Sequence, residues 1–303
     1  MQHITDRMID EVISPRQAQD VLRDAFLNHA SGQAAMQSRI RTEAQGIKLS
    51  TLGAVIPGQG VVGAKVYTTI KGQFNFVILL FSSHNGEPLA TLDAGALTRI
   101  RTAACSVLAA RALARPNVRT LGIFGAGIQG QEHAIQMAES FELEQILVSD
   151  PYADASIGHR LAERTGVAVK YAESDEIAST SDIIVTASRS QTPVFSGKML
   201  KPGAVVAAIG SSLPTTRELD DDALARARAI IVEWKHQAMT EAGDLVQADS
   251  AVLTQEKLIE LSSVLSGELR RQADDDIFVY KAVGVGLEDV ALAGLAYQLL
   301  NKN

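Results

Sequence analysis

The first third of the chain shows a helix start followed by short β-rich runs. Ser14, Pro15 and Gln17 are typical of a helix start, in which Ser14 caps the first turn and Gln17 completes a capping box. The β-rich runs that follow are separated by turn-forming dipeptides: 61–69, 74–82 and 88–93, with Lys71-Gly72 and Asn85-Gly86 between them. This pattern predicts an α+β unit with an antiparallel sheet.

From residue 119 onward, short apolar strands alternate with helices. The predicted strands are 120–124, 145–149, 167–171, 182–186, 205–209 and 229–232, and the first helices between them are 128–139 and 153–164. This order predicts an α/β fold with a Rossmann-type, doubly wound parallel sheet. Apolar helices are predicted before and after it, at 95–114 and 287–300. Because the last helix is predicted to return to the first domain, that domain is discontinuous (1–114 and 288–303) and the second is 115–287.

Composition excludes several classes of protein. Of 303 residues, 46% are hydrophobic and 21% are charged, which excludes a disordered chain. The net charge of −7 and the lack of a basic run argue against nucleic-acid binding. The longest uncharged stretch, 49–64, is interrupted by Pro57, so we expect no membrane span, and the acidic N-terminus predicts no signal peptide. The single cysteine, Cys105, and the histidine spacing predict no disulfide, no metal site and a cytoplasmic location.

A glycine-rich hexapeptide directly follows the first predicted Rossmann strand. Residues 125–130 read Gly-Ala-Gly-Ile-Gln-Gly and open a helix, which is the context that a dinucleotide-binding fingerprint requires. Gly125 permits the tight turn, Gly127 lets a pyrophosphate approach the backbone, and Gly130 lets helix and strand pack closely. The alternative is a glycine-rich turn without a ligand. We predict that the second domain binds NAD(P).

The second Rossmann strand ends in an acidic residue. Asp150 stands where a carboxylate binds the ribose hydroxyls of NAD and repels the 2′-phosphate of NADP. Alternatively, Asp150 caps a helix that begins after Pro151. Arg160, one helix further on, is able to soften the preference. We predict NAD, with NADH preferred and NADP possible.

Basic residues occur in apolar surroundings in the first domain. Arg99 and Arg101 begin an otherwise apolar helix, and Lys65 lies within an apolar β-run. A buried cation must be paired with a carboxylate or bind an anion. Taken alone, Lys65 also fits an exposed strand residue, and Arg41 fits a surface charge.

Several separated motifs together resemble one family. They are the glycine motif, Gly-Ala-Lys-Val at 63–66, Thr-Arg-Ile-Arg-Thr-Ala-Ala at 98–104, Ile-Gly-Ser-Ser-Leu-Pro at 209–214, Arg-Glu-Leu-Asp at 217–220, Glu-Ala-Gly-Asp-Leu at 241–245, Val-Tyr-Lys-Ala-Val-Gly at 279–284 and Glu-Asp at 288–289. In order and spacing they resemble the ornithine cyclodeaminase/μ-crystallin family over essentially the whole chain. The resemblance implies a homodimer whose first domain pairs across the two-fold axis and also holds the substrate.

The resemblance also implies the site. In the family, two arginines and a lysine hold the substrate carboxylate, which by position are Arg41, Lys65 and Arg101, with Arg39 as a near neighbour of the first. Ser212 stands where cyclodeaminases of the family carry an aspartate that handles the amine; it is expected to bind the substrate nitrogen or a water, or else to cap its own loop. The cofactor is expected to contact Gly125, Gly127, Ile128, Gln129, Gly130, Asp150, Thr102, Thr186, Ala187 and Ser188.

The missing carboxylate favours a reductase over a cyclodeaminase, because cyclodeamination needs a general base near the amines. A small imino acid held by its carboxylate accepts hydride from NADH to give an L-amino acid; candidates are pyrroline- or piperideine-2-carboxylate, iminosuccinate and pyruvate imine. Alternatives are an ornithine cyclodeaminase-like lyase or hydroxyproline dehydratase that uses bound NAD, and a non-catalytic protein that binds NAD(P)H and a small carboxylate. Asp93 is expected to be a cap or an arginine partner, and Asp289 to be structural near Lys281.

Overall fold

The chain divides into two compact units. The computed structural model describes residues 1–154 and 156–302; Ala155, within the predicted helix 153–164, and Asn303, the end of the predicted segment 288–303, lie outside the described residues. Unit 1 comprises Met1–Cys105 and the segment from Gly284 onward, and unit 2 comprises Ser106–Val283. The first division is predicted later from the sequence, after residue 114, because the whole apolar helix at 95–114 is expected to belong to the first domain.

The elements are as follows. The strands are β1 (Gln2–Ile4), β2 (Ala35–Met36), β3 (Ile40–Ala44), β4 (Ile47–Ile56), β5 (Val61–Ile70), β6 (Gln73–Ser82), β7 (Pro88–Asp93), β8 (Thr120–Phe124), β9 (Gln145–Ser149), β10 (Ala168–Tyr171), β11 (Ile183–Thr186), β12 (Val205–Ala208), β13 (Ala227–Val232), β14 (Leu258–Glu260) and β15 (Ile277–Lys281). The helices are α1 (Asp6–Val12), α2 (Pro15–Ala30), α3 (Gly95–Leu113), α4 (Ile128–Ser140), α5 (Ser156–Thr165), α6 (Ser174–Thr180), α7 (Asp221–Arg226), α8 (Lys235–Glu241), α9 (Gly243–Val246), α10 (Leu261–Leu265) and α11 (Gly286–Leu300). Within the described residues, no helix is long and apolar enough to cross a membrane.

Unit 1 is built on one mixed sheet. Its strand order is β1-β7-β6-β5-β4-β2, and β3 also pairs with β4. Strands β4 to β7 are antiparallel, which confirms the predicted runs, whereas β1 joins β7 in parallel. The hairpin of β3 and β4 was not predicted, because it turns through Gln45-Gly46, at φ of 50° and 77°, without the Asn-Gly or Asp-Gly signal.

The inner face of this sheet is covered by α11. Every second residue of β5 from Val61 to Tyr67 is buried, so Lys65 falls in a buried register. Glycines permit the helix to approach: a Cβ at Gly63 would lie 3.4 Å from the Val290 side chain, and one at Gly286 would lie 2.6 Å from the Gly53 carbonyl oxygen. The C-terminal helix therefore completes unit 1.

Local signals at two helix starts gave different results. The capping box of α2 is confirmed: Ser14 Oγ accepts from Gln17 N at 3.3 Å, and Gln17 Oε1 accepts from Ser14 N at 3.0 Å. At α3 the amide of Ala96 donates instead to Asp6 Oδ1, at 2.8 Å. The predicted role of Asp93 as a cap or arginine partner is wrong, since its carboxylate accepts from Asp6 N and faces His3.

Unit 2 carries a parallel sheet of order β10-β9-β8-β11-β12-β15-β13-β14. The predicted Rossmann strands are confirmed, and the sheet is buried around Ile184, Val206 and Ile230. Strand β15 was not predicted although it lies between β12 and β13 and all its residues are buried. A continuous short apolar run is typical of a central parallel strand, but its periodicity does not separate strand from helix.

The strand order reverses at β8, which lies between β9 and β11. In open parallel sheets, ligands bind outside the carboxyl ends of the strands at such a point. The chain leaves these ends at Gly125, Asp150 and Ala187, which places predicted cofactor contacts at one edge of unit 2.

Candidate functional site

Two cationic side chains are buried in unit 1. Lys65 on β5 is 2% exposed and Arg101 on α3 is 6% exposed. The alternative of an exposed strand lysine is therefore wrong. Since a buried charge is costly unless it is paired, both residues need anionic partners.

Both partners come from the first turn of α11. Lys65 Nζ donates to Asp289 Oδ1 at 2.8 Å, and Arg101 Nη1 donates to Glu288 Oε2 at 2.6 Å. Arg101 Nε also lies 3.5 Å from Asp289 Oδ1. Both carboxylates are fully buried, at a helix N-terminus, which favours negative charge. Lys65, Arg101, Glu288 and Asp289 form what we call the ion-pair cluster.

Asp289 is expected to be structural near Lys281, and the structure pairs it with Lys65. Lys281 belongs to unit 2, where its Nζ lies 3.0 Å from Asp244 Oδ2. The sequence signal for the cluster was present as Glu288-Asp289 at the start of an otherwise apolar helix. That pattern indicates buried anions but does not identify the cations they meet.

Arg39 and Arg41 are the two candidates for the third cation that the family resemblance implies. Arg39 is half-buried and donates from Nη2 to the carbonyl oxygen of Gly284 at 2.7 Å. A Cβ at Gly284 would lie 2.5 Å from Arg101 Nη2, so Gly284 lies between the two guanidinium groups. Arg41 is exposed on β3, opposite the buried Ser50 of β4. The structure brings Arg39 to the cluster, and the role of Arg41 stays a prediction.

The environment of Lys65 lowers its pKa from 10.5 to about 8. Burial is the largest cause; the positive charges of Arg101 and Arg39 act in the same direction, while Asp289 opposes them. Three cationic side chains, Lys65, Arg101 and Arg39, lie close together here, and such a group is suited to bind a carboxylate. An ammonium group with a pKa near neutrality is also able to donate a proton.

Thr102 lies one residue beyond Arg101 on α3. It is 5% exposed, and its hydroxyl donates to the carbonyl oxygen of Thr98 at 2.7 Å. This is the ordinary bond of a helical threonine to its own backbone. The expected contact with the cofactor stays a prediction.

The glycines of the 125–130 loop in unit 2 serve different purposes. Gly125 has φ of +93°, and its Cβ would lie 2.8 Å from the Ala187 backbone. A Cβ at Gly130 would lie 1.9 Å from the carbonyl oxygen of Gly125, so close packing requires that glycine. Among the described residues, a Cβ at Gly127 would meet no atom within 4 Å. The protein itself does not require Gly127, which fits a residue kept small for the approach of a pyrophosphate to the α4 amides.

A groove of about 1330 Å³ lies at the carboxyl edge of the unit 2 sheet. Predicted cofactor contacts line it: Gly125, Gly127, Ile128, Gln129, Asp150, Ala187 and Ser188. It exceeds the roughly 300–1,000 Å³ usual for a small-ligand site, as an extended dinucleotide requires. These residues fit NAD(H), with the phosphates at the N-terminus of α4.

The Asp150 carboxylate hydrogen-bonds to the backbone of the glycine loop at 125–130. Its Oδ2 accepts from Ala126 N at 2.8 Å, and its Oδ1 accepts from Tyr152 N at 2.9 Å. It is not a helix cap, because α5 begins only at Ser156. The carboxylate lines the groove at the end of β9, where a ribose would lie.

The remaining predicted residues follow β11 and β12. Thr186 is fully buried, and its hydroxyl donates to Glu218 Oε2 at 2.8 Å, whereas Ala187 and Ser188 line the groove. Ser212 is half-buried. Its neighbour Ser211 is fully buried and bonds the loop, through the carbonyl oxygen of Thr216. The expected functions of Thr186 and Ser212 stay predictions.

Comparison with known proteins decides the family. Residues 2–303 match the sequence model of the ornithine cyclodeaminase/mu-crystallin family. The chain belongs to this family. A Delta(1)-pyrroline-2-carboxylate reductase of Bacillus cereus is 36% identical over 262 residues, which are 84% of this chain and 77% of that protein.

Solved structures of similar proteins share the whole fold. A probable ornithine cyclodeaminase from Bordetella pertussis Tohama I is 62% identical, with a TM-score of 0.98 over 99% of this chain and 97% of that chain. Thermococcus litoralis Delta(1)-pyrroline-2-carboxylate reductase, solved in complex with NADH and L-proline, is 25% identical, with a TM-score of 0.93 over 99% and 97%. The α/β fold with its discontinuous first unit is thus that of the ornithine cyclodeaminase/mu-crystallin family.

The titration of Lys65 predicts a pH limit on catalysis. If the ammonium form holds the substrate, kcat/KM should fall as the pH rises through about 8, the pKa of Lys65, approaching about tenfold per pH unit. The Lys65→Arg variant, whose guanidinium stays charged, should lose this limb. Steady-state rates at saturating cofactor from pH 6 to pH 10 measure it, and an identical limb in both proteins would contradict the assignment.

Loss of folded protein does not explain the expected fall in kcat/KM above about pH 8. Between about 8 and 10.5 the unfolded state binds more protons at Lys65 than the folded state, because folding lowers this pKa. The contribution of Lys65 to the free energy of unfolding therefore rises with pH across that window. Thermal unfolding at each pH serves as the check.

Proposed function

We propose that the protein is an NAD(P)H-dependent reductase of a small imino acid that forms an L-amino acid. The observation that carries the proposal is the buried ion-pair cluster, with Arg39 beside it, in a chain whose other unit presents a glycine loop and a dinucleotide-sized groove. The reductase names of the Bacillus cereus and Thermococcus litoralis relatives support it.

The reaction adds two electrons and two hydrogens to C=N. NADH held in the unit 2 groove would supply a hydride for the new C–H bond at the imine carbon, and the C=N π electrons would move to nitrogen. Residues of unit 1 bind the substrate and supply the proton. Arg101 and Lys65 bind the carboxylate and fix its plane. Lys65 then donates the proton that the nitrogen takes up. Arg41 or Arg39 supplies the third cation, and the Ser212 hydroxyl bonds the substrate nitrogen or a water.

Unit 2 is proposed to bind NADH in preference to NADPH. Asp150 places a negative charge in the groove at the end of β9, which repels a 2′-phosphate. Gly125, Gly127 and Gly130 with the first turn of α4 hold the pyrophosphate. Ala187 and Ser188 also line the groove.

The test is NADH oxidation with a panel of imino acids. We expect loss of NADH absorbance with Δ1-pyrroline-2-carboxylate, Δ1-piperideine-2-carboxylate, iminosuccinate or pyruvate plus ammonia, and slower turnover with NADPH. L-ornithine with catalytic NAD+ is the comparison, because Ser212 lacks the carboxylate that cyclodeamination uses. Proline formed from ornithine without net change in NADH, together with no imine-dependent oxidation, would replace the reductase by the lyase.

A homodimer is proposed through the outer face of the unit 1 sheet. Antiparallel register gathers apolar side chains there, and they are 36–52% exposed: Ile40, Ile47, Leu49, Val55, Ile70, Val77 and Phe81. Exposed apolar patches of this kind mark interaction surfaces. A second copy of the chain is the occupant that the family resemblance implies.

Charge placed on this face should separate the subunits. Val77→Glu is expected to convert a dimer to a monomer in light scattering coupled to size exclusion, because a carboxylate would be buried without a partner. Val246→Glu is the matched control, since Val246 in unit 2 is 44% exposed against 43% for Val77. A Val77→Glu protein that stays dimeric at low micromolar concentration would contradict the interface.

A cytoplasmic location is also proposed. Cys105 is the single cysteine, and it is a buried free thiol whose Sγ lies 3.3 Å from Glu288 Oε1. A chain stabilised without disulfides suits a reducing compartment. Fractionation of the source cells tests the location.

A further inference from the structure

A fully buried carboxylate joins two loops at the carboxyl edge of unit 2. Glu218 Oε1 accepts from the amide and the hydroxyl of Ser188, at 2.7 and 2.6 Å. Its Oε2 accepts from Thr186 Oγ1 at 2.8 Å and from Gly210 N at 2.7 Å. One side chain thereby fixes the β11 loop (187–190) and the β12 loop (209–216).

The backbone at Glu218 is itself held in place by a second buried carboxylate, that of Asp244. The amides of Glu218 and Leu219 donate to Asp244 Oδ1 at 2.7 and 2.8 Å, and Lys281 Nζ reaches Asp244 and the carbonyl oxygen of Ala208, both at 3.0 Å. Glu218, Asp244 and Lys281 are all 0% exposed. A buried network of hydrogen bonds and an ion pair such as this one is costly to disturb.

The two loops also touch directly. A Cβ at Gly210 would lie 2.0 Å from the carbonyl oxygen of Ser188 and 2.5 Å from Glu218 Oε1. The close contact leaves little room for either loop to shift alone. The Glu218 carboxylate lies at this contact and accepts a backbone hydrogen bond from each loop, so removing one of these bonds is expected to loosen the contact.

These two loops carry groups that take part in the proposed reaction. Glu218 is fully buried and hydrogen-bonds to both loops. Ser188 is part of the groove wall, and the half-buried Ser212 lies two residues beyond Gly210. We propose that Glu218 is a positioning residue for hydride transfer, which holds the Ser188 wall and the Ser212 hydroxyl in one arrangement. The inference rests on the proposed reductase function.

The test variant is Glu218→Gln. One backbone amide donates to each carboxylate oxygen, Ser188 N to Oε1 and Gly210 N to Oε2. In either orientation, the glutamine NH2 group would therefore face a backbone N–H. We expect hydrogen exchange of both loops to accelerate, and kcat to fall by about 10–100-fold, the scale of a misplacement of about 1 Å. The KM for the imino acid should stay within about threefold, because the ion-pair cluster of unit 1 binds the carboxylate.

The matched control is Asp182→Asn. Asp182 is 5% exposed and accepts from the amides of Arg119 and Thr120, at 2.9 and 3.0 Å, at the amino edge of the same sheet. It should lose stability while kcat and the exchange of both loops stay at wild-type values. Glu218→Gln with wild-type kcat and wild-type loop exchange would overturn the proposal, as would an equal fall of kcat in Asp182→Asn.

The proposal can still be tested if Glu218→Gln does not fold or if the wild type shows no activity. If Glu218→Gln does not fold, Thr186→Val removes one donor from Oε2, and exchange should accelerate and kcat fall in the same direction by less; unchanged values overturn the proposal. If the wild type reduces no imine, the reductase function fails. In that case loop exchange in Glu218→Gln and Asp182→Asn still measures whether Glu218 holds the two loops.

Discussion

Replacing Lys65 by methionine is expected to lower kcat/KM for the imino acid by about 10³-fold, within the range for loss of a positioned proton donor. The same change should reduce the free energy of unfolding by about 3 kcal/mol, because it leaves the buried Asp289 carboxylate without its 2.8 Å partner. NADH affinity should be unchanged, since Lys65 lies in unit 1 and the groove lies in unit 2. Steady-state kinetics, denaturant unfolding and NADH fluorescence titration measure the three quantities.

A double variant separates folding from chemistry. Lys65→Met with Asp289→Asn removes both charges and should restore most of the lost stability, because replacing a whole buried pair is often nearly neutral. Activity should stay low. Lys257→Met is the control for loss of a lysine: its Nζ donates to Ala225 O at 2.7 Å in unit 2, and activity should be retained. A double variant that regains the wild-type rate would exclude a catalytic function for Lys65.

Gly127→Ala is expected to raise the NADH dissociation constant by at least about tenfold, which is ~1.4 kcal/mol, without unfolding the protein. The added methyl would lie more than 4 Å from the other residues that the structure describes, so it would occupy the space proposed for the pyrophosphate. The backbone at this position, with φ of −71°, suits alanine, and the free energy of unfolding should change by no more than about 1 kcal/mol. Fluorescence titration and thermal unfolding of the same preparation measure both.

Gly130→Ala is the matched comparison. Its methyl would lie 1.9 Å from the carbonyl oxygen of Gly125, so the loop must move, and we expect a loss of both stability and NADH binding. A Gly127→Ala protein that binds NADH as tightly as the wild type would contradict the placement of the pyrophosphate. In that case close packing in the fold would still explain Gly130, but pyrophosphate binding would no longer explain Gly127.

Features fixed within a few residues could be predicted from the sequence. The capping box at Ser14 and Gln17, the turn at Asn85-Gly86 and the glycine loop at 125–130 depend on local backbone geometry. The family resemblance then placed Lys65 and Arg101 near each other. The structure gives both residues buried, charge-paired surroundings.

Features that depend on distant contacts could not be predicted. Asp289 meets Lys65 across 224 residues and Glu288 meets Arg101 across 187, and no local pattern specifies such pairs. The same holds for Glu218, whose hydrogen bonds join loops from separate strands. Strand β15 was missed because a fully buried run has no alternation to mark it.

The most direct test of the account follows the hydride. The protein is incubated with Δ1-pyrroline-2-carboxylate and NADH that carries deuterium at the transferred position of C4, and the product is analysed by mass spectrometry and NMR. We expect L-proline with one deuterium at Cα and one NAD+ formed per proline. Proline without deuterium, or binding of NADH without turnover of any of the four candidate imines, would contradict it.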